Sequence, residues 1–227
     1  MQLFDAVIVS GGNIDDEFVM EKLLRNRYND EGKPAIPIAA DRGLCFFMRK
    51  GLKPAIAIGD FDSMPEELFK EALRTMKPET GFIRLKPEKD VSDTHAALLE
   101  CRQRGVRSCL LLGCTGTRLD HVMANLGLLA AAAKEGVKAV IEDPHNTIFL
   151  AENEETFRKS DYEGSYISFF PLGGTVSELT LTGFRYPLQG RDLSIYDASL
   201  TVSNEIIEEE ARLSFRSGIL AVMITRD

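Results

Sequence analysis

The chain has 227 residues, 44% of them hydrophobic and 27% charged, an ordinary globular composition at a length that suits one large domain or two small ones. Its net charge of −8 argues against a nucleic-acid surface, which needs clustered Lys and Arg against the phosphates. No apolar run reaches membrane-spanning length, and Asp5 interrupts the short apolar run near the start, so neither a membrane span nor a signal peptide is expected. Cys45, Cys101, Cys109 and Cys114 show no CxxC spacing and sit in apolar segments. They read as buried, reduced thiols of a cytoplasmic protein and not as zinc ligands.

Leu3 to Val9 predicts a strand that leaves through Ser10-Gly11-Gly12-Asn13. Asp15 and Asp16 start a helix with Phe18, Val19, Leu23 and Leu24 at helical spacing. Ala35 to Ala40 is a second strand, ending in Asp41-Arg42-Gly43, and Leu44 to Lys50 a helix closed by Gly51. Ala55 to Ile58 is a third strand, followed by Gly59-Asp60-Phe61-Asp62-Ser63. Ser63 reads as an N-cap there, with Pro65 in the first turn and Glu66 completing a capping box. Leu68, Phe69, Ala72, Leu73 and Met76 give that helix one apolar face. Phe82 to Leu85 is a fourth strand, and Ser92 caps a helix whose first turn holds Asp93. Ser108 to Leu112 is a fifth strand, ending in Gly113 through His121; an Ala- and Leu-rich helix follows, then a sixth strand from Val137 to Ile141.

Strands alternating with helices predict a doubly wound parallel α/β sheet. Its carboxyl edge would collect Asp41, Asp60, Asp62, Asp90, Asp93 and Asp120, where open parallel sheets place their ligands. A single acidic turn is consistent with plain solvation. Acidic loops after several strands, all at one edge, point to a shared metal and phosphate site. Hard carboxylate oxygens suit Mg²⁺, which takes one or two carboxylates plus substrate phosphates. Asp60 and Asp62 can hold it, with Asp93 as a further ligand or as proton acceptor. Arg118 suits a fork on phosphate or a surface pair with Asp120. His121 reads as a capping or packing residue. Gly11-Gly12 lacks the full dinucleotide glycine spacing, and there is no Walker A motif, so a nucleotide would be held by another device.

After about Pro144 the pattern changes. Short runs rich in Val, Ile, Thr, Phe and Tyr predict strands at Thr147–Leu150, Tyr166–Phe170, Val176–Leu181, Leu193–Tyr196, Leu200–Val202, Arg212–Phe215 and Ile219–Ile224. These imply an antiparallel β-sandwich domain over 144–227, after an α/β domain over 1–143 whose acidic edge suits metal and phosphate.

Several motifs together resemble one family. They are Ala40-Asp41-Arg42-Gly43, Pro54 through Ser63, Lys89-Asp90-Val91-Ser92-Asp93, Arg118-Leu119-Asp120-His121 with Asn125, Gly183-Phe184-Arg185-Tyr186-Pro187-Leu188, and Val202-Ser203-Asn204-Glu205. In this order and spacing the chain resembles a thiamine pyrophosphokinase over essentially its whole length. The resemblance implies an ATP-dependent transfer of pyrophosphate to the hydroxyl of thiamine, giving thiamine diphosphate and AMP. It also implies a homodimer whose active sites lie at the subunit interface. By the same resemblance Asp60, Asp62, Asp93, Arg118 and Asp120 are catalytic, with Asp60, Asp62 and Asp93 on Mg²⁺. Asp41, Gly43, Ser63, Arg118 and Asn125 serve ATP, while Asp93, Ser203 and Asn204 serve thiamine. The chain has no tryptophan, so the ring that animal members stack on thiamine is absent. Alternatives are a related pyrophosphokinase acting on a pterin alcohol, which shares the acidic edge, and a nucleotide-binding regulatory module without turnover.

Overall fold

A computed structural model describes residues 3–76, 79–88 and 90–227. The chain divides into two compact units, Met1–Pro144 and His145–Asp227. Lys89, in the motif that ends at Asp93, lies outside the described residues.

The first unit alternates strand and helix: β1 (Ala6–Val9), α1 (Asp16–Arg25), β2 (Ile36–Ala40), α2 (Gly43–Arg49), β3 (Ile56–Gly59), α3 (Glu66–Met76), β4 (Gly81–Arg84), α4 (Asp93–Gln103), β5 (Ser108–Leu112), α5 (Leu119–Lys134) and β6 (Lys138–Glu142). Its strands pair in parallel in the order β4-β3-β2-β1-β5-β6. All four residues of β1 and of β3 are buried. Successive strand residues point to opposite faces, so both faces of the central strands are covered, as the near-continuous apolar sequences require. The order reverses at β1, which lies between β2 and β5. Such a reversal opens a crevice at the carboxyl edge of the strands. Backbone bonds from Gly12 N–H to the Gly113 carbonyl and from Asn13 N–H to that of Thr115, each 2.8 Å, tie the loops leaving β1 and β5 together there.

Two helix starts carry a side-chain cap, α2 and α5 start without one, and the start of α3 departs from the expected capping box. Asp15 caps α1, its carboxylate accepting from the Glu17 and Phe18 N–H groups, and the Ser92 hydroxyl caps α4 by accepting from His95 N–H. Ser63 forms no capping box. Its hydroxyl donates to the Asp41 carboxylate instead, and α3 begins later, at Glu66, with the Pro65 carbonyl accepting from Phe69 N–H.

The second unit holds β7 (Asn146–Leu150), β8 (Glu154–Arg158), β9 (Tyr166–Pro171), β10 (Val176–Thr182), β11 (Leu188–Leu193), β12 (Glu210–Ser214) and β13 (Leu220–Thr225). Antiparallel β7-β13-β9 and β11-β10-β12-β8 are its two sheets. Their inner faces share one core in which Phe157, Phe169 and Phe184 meet edge-on, with ring centroids 5.5–6.5 Å apart. Two expected strands are absent. Residues 195–200 form a 3₁₀ turn because Ser194 and Asp197 make a reciprocal capping box, and Leu200–Val202 lies at its end. In exchange, β8 and β11 are strands that hydrophobic runs do not announce. Both are largely charged or polar and exposed. Among the described residues no helix is long and apolar enough to cross a membrane.

Candidate active site

Three carboxylates converge at the carboxyl edge of the parallel sheet. Asp41 follows β2, Asp60 follows β3, and Asp93 opens α4; one oxygen from each lies within 4.8 Å of the others. All three are half-buried. Asp41 is held by its backbone, since its N–H donates to the Ile58 carbonyl at 2.9 Å. Its left-handed φ of 46° is one that Asp tolerates better than most residues. One Asp41 oxygen accepts from the Ser63 hydroxyl, while the other, Oδ1, is buried and has no hydrogen-bond partner among the described residues. Like charges at this spacing repel strongly in a half-buried site. A partnerless carboxylate oxygen facing that repulsion fits a cation, and an all-oxygen donor set fits Mg²⁺.

The trio differs in one member from the set that the sequence motifs give. Asp62 is exposed, and its N–H donates to Asp60 Oδ1 at 3.3 Å. Asp41, expected on the nucleotide, stands in the trio instead. The signal for it was in the chain: Asp41 follows its strand directly, as Asp60 does. Between Asp60 and Asp62, Phe61 is buried with a left-handed φ of 59°. Bulky residues avoid this region at a cost of about 1–3 kcal/mol.

Arg118 and Asp120 form a two-pronged ion pair at the surface, from Nε to Oδ1 at 3.2 Å and from Nη2 to Oδ2. The guanidinium holds the Asp120 carboxyl down at about 2. Asp120 is therefore charged throughout the neutral range, and the pair is lost only as pH falls through that value. Arg118→Ala should return the Asp120 titration toward 3.8, its ordinary value. A carbon-13 NMR titration of the carboxyl group reads this directly; an unmoved midpoint would show that Arg118 does not set it.

Asn125 donates to the Cys114 carbonyl at 2.7 Å and so pins the loop between β5 and α5. Gly43 opens α2 where a Cβ would lie 1.8 Å from the Val9 carbonyl oxygen, so glycine lets the helix start press on the end of β1. Cys101, Cys109 and Cys114 are buried free thiols, and burial pushes Cys114 up to about 12. None of them belongs to the acidic group.

Residues 32–141 match the family described as "Thiamin pyrophosphokinase, catalytic domain", and residues 152–220 match "Thiamin pyrophosphokinase, vitamin B1 binding domain". The chain is 33% identical over 200 residues to the thiamine pyrophosphokinase of Bacillus subtilis (strain 168), covering 88% of this chain and 91% of that protein. This chain belongs to the thiamin pyrophosphokinase family. Crystal structures of the thiamin pyrophosphokinases from Bacillus subtilis and Geobacillus thermodenitrificans match it with TM-scores of 0.79 and 0.78 at 30% and 31% identity. Each comparison covers 98% of this chain, with 99% and 97% of the respective relative. The Candida albicans thiamin pyrophosphokinase shares the fold at 14% identity, with a TM-score of 0.79 over 99% of this chain and 90% of that one.

The segment matching the thiamin pyrophosphokinase catalytic domain contains Asp41, Asp60, Asp93, Arg118 and Asp120; the segment matching the vitamin B1 binding domain contains Ser203 and Asn204. Ser203 is exposed, with a left-handed φ of 55°, and its N–H donates to the Ser168 hydroxyl. Asn204 is fully buried. Its side-chain oxygen accepts from the N–H groups of Tyr186 and Glu205, and its amide donates to the Tyr186 carbonyl, all at 2.9–3.0 Å. Asn204 thus clamps the Gly183–Tyr186 loop from inside. Asn204→Ala leaves these backbone groups unpaired and should lower stability by about 3 kcal/mol. Chemical denaturation with an unchanged midpoint would contradict the clamp.

Proposed function

We propose that the chain transfers a pyrophosphoryl group from Mg-ATP to the hydroxyl of thiamine. The hydroxyl oxygen bonds to the β-phosphorus, the bridge to the α-phosphate breaks, and AMP leaves with the electron pair while the hydroxyl proton passes to the site. The observation that carries the reading is the Asp41–Asp60–Asp93 group at the sheet's carboxyl edge, in a chain of this family. These three carboxylates would hold Mg²⁺, which would supply stabilisation of the charge that develops on the phosphates. Arg118 turns its fork from Asp120 to a phosphate. Ser63 keeps Asp41 oriented, Asn125 and Gly43 shape the nucleotide side, and the exposed Asp62 acts from outside the trio.

The first unit takes ATP and the second takes thiamine. A match of residues 152–220 to a vitamin B1 binding domain supports thiamine over a pterin alcohol as acceptor. A regulatory module without turnover has no need of three converging carboxylates. The test is incubation with Mg-ATP and either thiamine or a hydroxymethyl pterin, with products read by mass. Equimolar AMP and thiamine diphosphate are expected. ADP with thiamine monophosphate, or consumption of the pterin alone, would overturn the reading.

The active unit is a homodimer whose sites draw on both chains. The family resemblance supports this, as do the exposed apolar side chains Tyr186, Ile195, Tyr196, Leu200, Val202 and Ile207 of the second unit. Light scattering should give twice the 25.2 kDa chain mass. A fully active monomer would exclude it.

A further inference from the structure

We propose that Phe61 is a positioning residue of the metal centre: its left-handed backbone, anchored by a buried ring, delivers the Asp60 carboxylate to Asp41 and Asp93. This rests on the reading of those carboxylates as a cation site. In an extended segment, residues two apart share a face, so a strand continuing past Gly59 would send Asp60 and Asp62 to the same side. They go to different places: Asp60 joins the trio and Asp62 is exposed. The residue between them has φ 59°, and that turn of the backbone separates the two carboxylates.

Phe61 is an unfavourable choice for such a conformation unless its ring is held elsewhere. Phe61 is 4% exposed. It stacks on Phe69 of α3 at 4.6 Å between centroids with 22° between planes, and it meets Phe82 of β4 at 6.4 Å. The Arg84 guanidinium lies 5.5 Å from the Phe69 ring centre and helps close this aromatic group. Among the described residues of the first unit, Asp41 and Phe61 are the non-glycine residues with positive φ, and both serve the trio. Backbone strain gathered at one place marks a conformation that the surrounding structure enforces. Here the enforcing contact is the ring, and its product is the place of the Asp60 carboxylate.

The test uses Mn²⁺ as an oxygen-seeking probe, its free fraction read by electron paramagnetic resonance, beside thermal melting of the same samples. Asp60→Asn is the control and should abolish tight binding. Phe61→Gly allows the left-handed turn without the anchor, and it should weaken Mn²⁺ binding about 10-fold or more, the range typical of residues that orient metal ligands. Phe61→Leu restores an apolar anchor and should recover most of that loss. Phe69→Leu leaves the turn's own sequence intact, removes the ring beneath Phe61, and should weaken Mn²⁺ binding in a folded protein. If Asp60→Asn weakens binding while Phe61→Gly and Phe69→Leu lower only the melting temperature, the proposal is overturned and the cation site stands. If Asp60→Asn binds Mn²⁺ as the parent does, the cation site itself falls and the proposal with it.

Discussion

Asp60→Asn should reduce AMP formation about a thousandfold or more while the melting temperature stays within a few degrees. A metal across transferring phosphates contributes several kcal/mol to the transition state, and about 4 kcal/mol corresponds to a thousandfold in rate. Asparagine keeps the shape and one oxygen but removes the negative charge that binds the cation. Folding is not expected to suffer, because one of three crowded carboxylates is neutralised and mutual repulsion falls. Asp62→Asn, outside the trio, should cost less activity. The check is steady-state turnover at saturating Mg²⁺ together with thermal melts. Near-parental turnover in Asp60→Asn would return Asp60 to the status of a solvated turn residue.

Gly43→Ala should destabilise the first unit by about 4 kcal/mol, near the upper end for a single substitution. The new Cβ would lie 1.8 Å from the Val9 carbonyl oxygen and 2.6 Å from its carbon. Neither atom is the end of a flexible side chain. Val9 is the last residue of central strand β1, paired on both sides with β2 and β5. Relief therefore requires α2 to lift away from the sheet and uncover Leu44, Phe46 and Phe47, each at most 1% exposed. For a chain of this size the melting temperature should fall by about 10 °C. Urea denaturation checks the free energy. A variant with parental stability but weakened ATP binding would move the role of Gly43 from packing to the nucleotide.

Much of the first unit was legible because its physics is local. Apolar runs such as Cys109–Leu112 are buried on both faces, and Asp15 and Ser92 cap the helices that follow them. The second unit was legible only where strands face the core. Val176–Leu181 and Leu220–Ile224 carry that signal; β11, mostly exposed and polar, does not. The 3₁₀ turn at 195–200 replaced an expected strand because a Ser–Asp pair three residues apart outweighed the β-favouring Ile195 and Tyr196.

At the site, the sequence placed the acidic loops on one edge but not the partners within it. Ser63 reads as a cap by every local rule, yet its hydroxyl meets Asp41, distant in sequence. Asp60 and Asp62 read as a pair, and a single left-handed residue parts them. Asn204 reads as a polar residue available to a ligand, and its amide is engaged with a loop that tertiary folding brings to it. Spacing along the chain does not report such long-range polar contacts.

The most direct test of the central claim is a crystal structure with Mg²⁺ and a non-hydrolysable ATP analogue. The expected result is a Mg²⁺ ion bound by one oxygen each from Asp41, Asp60 and Asp93 at about 2.1 Å, with phosphate oxygens and water completing an octahedron. The Asp41 Oδ1 atom, without a partner among the described residues, should be among those ligands. An ion held instead by Asp62 or Asp120, with the trio bound only to water, would contradict it.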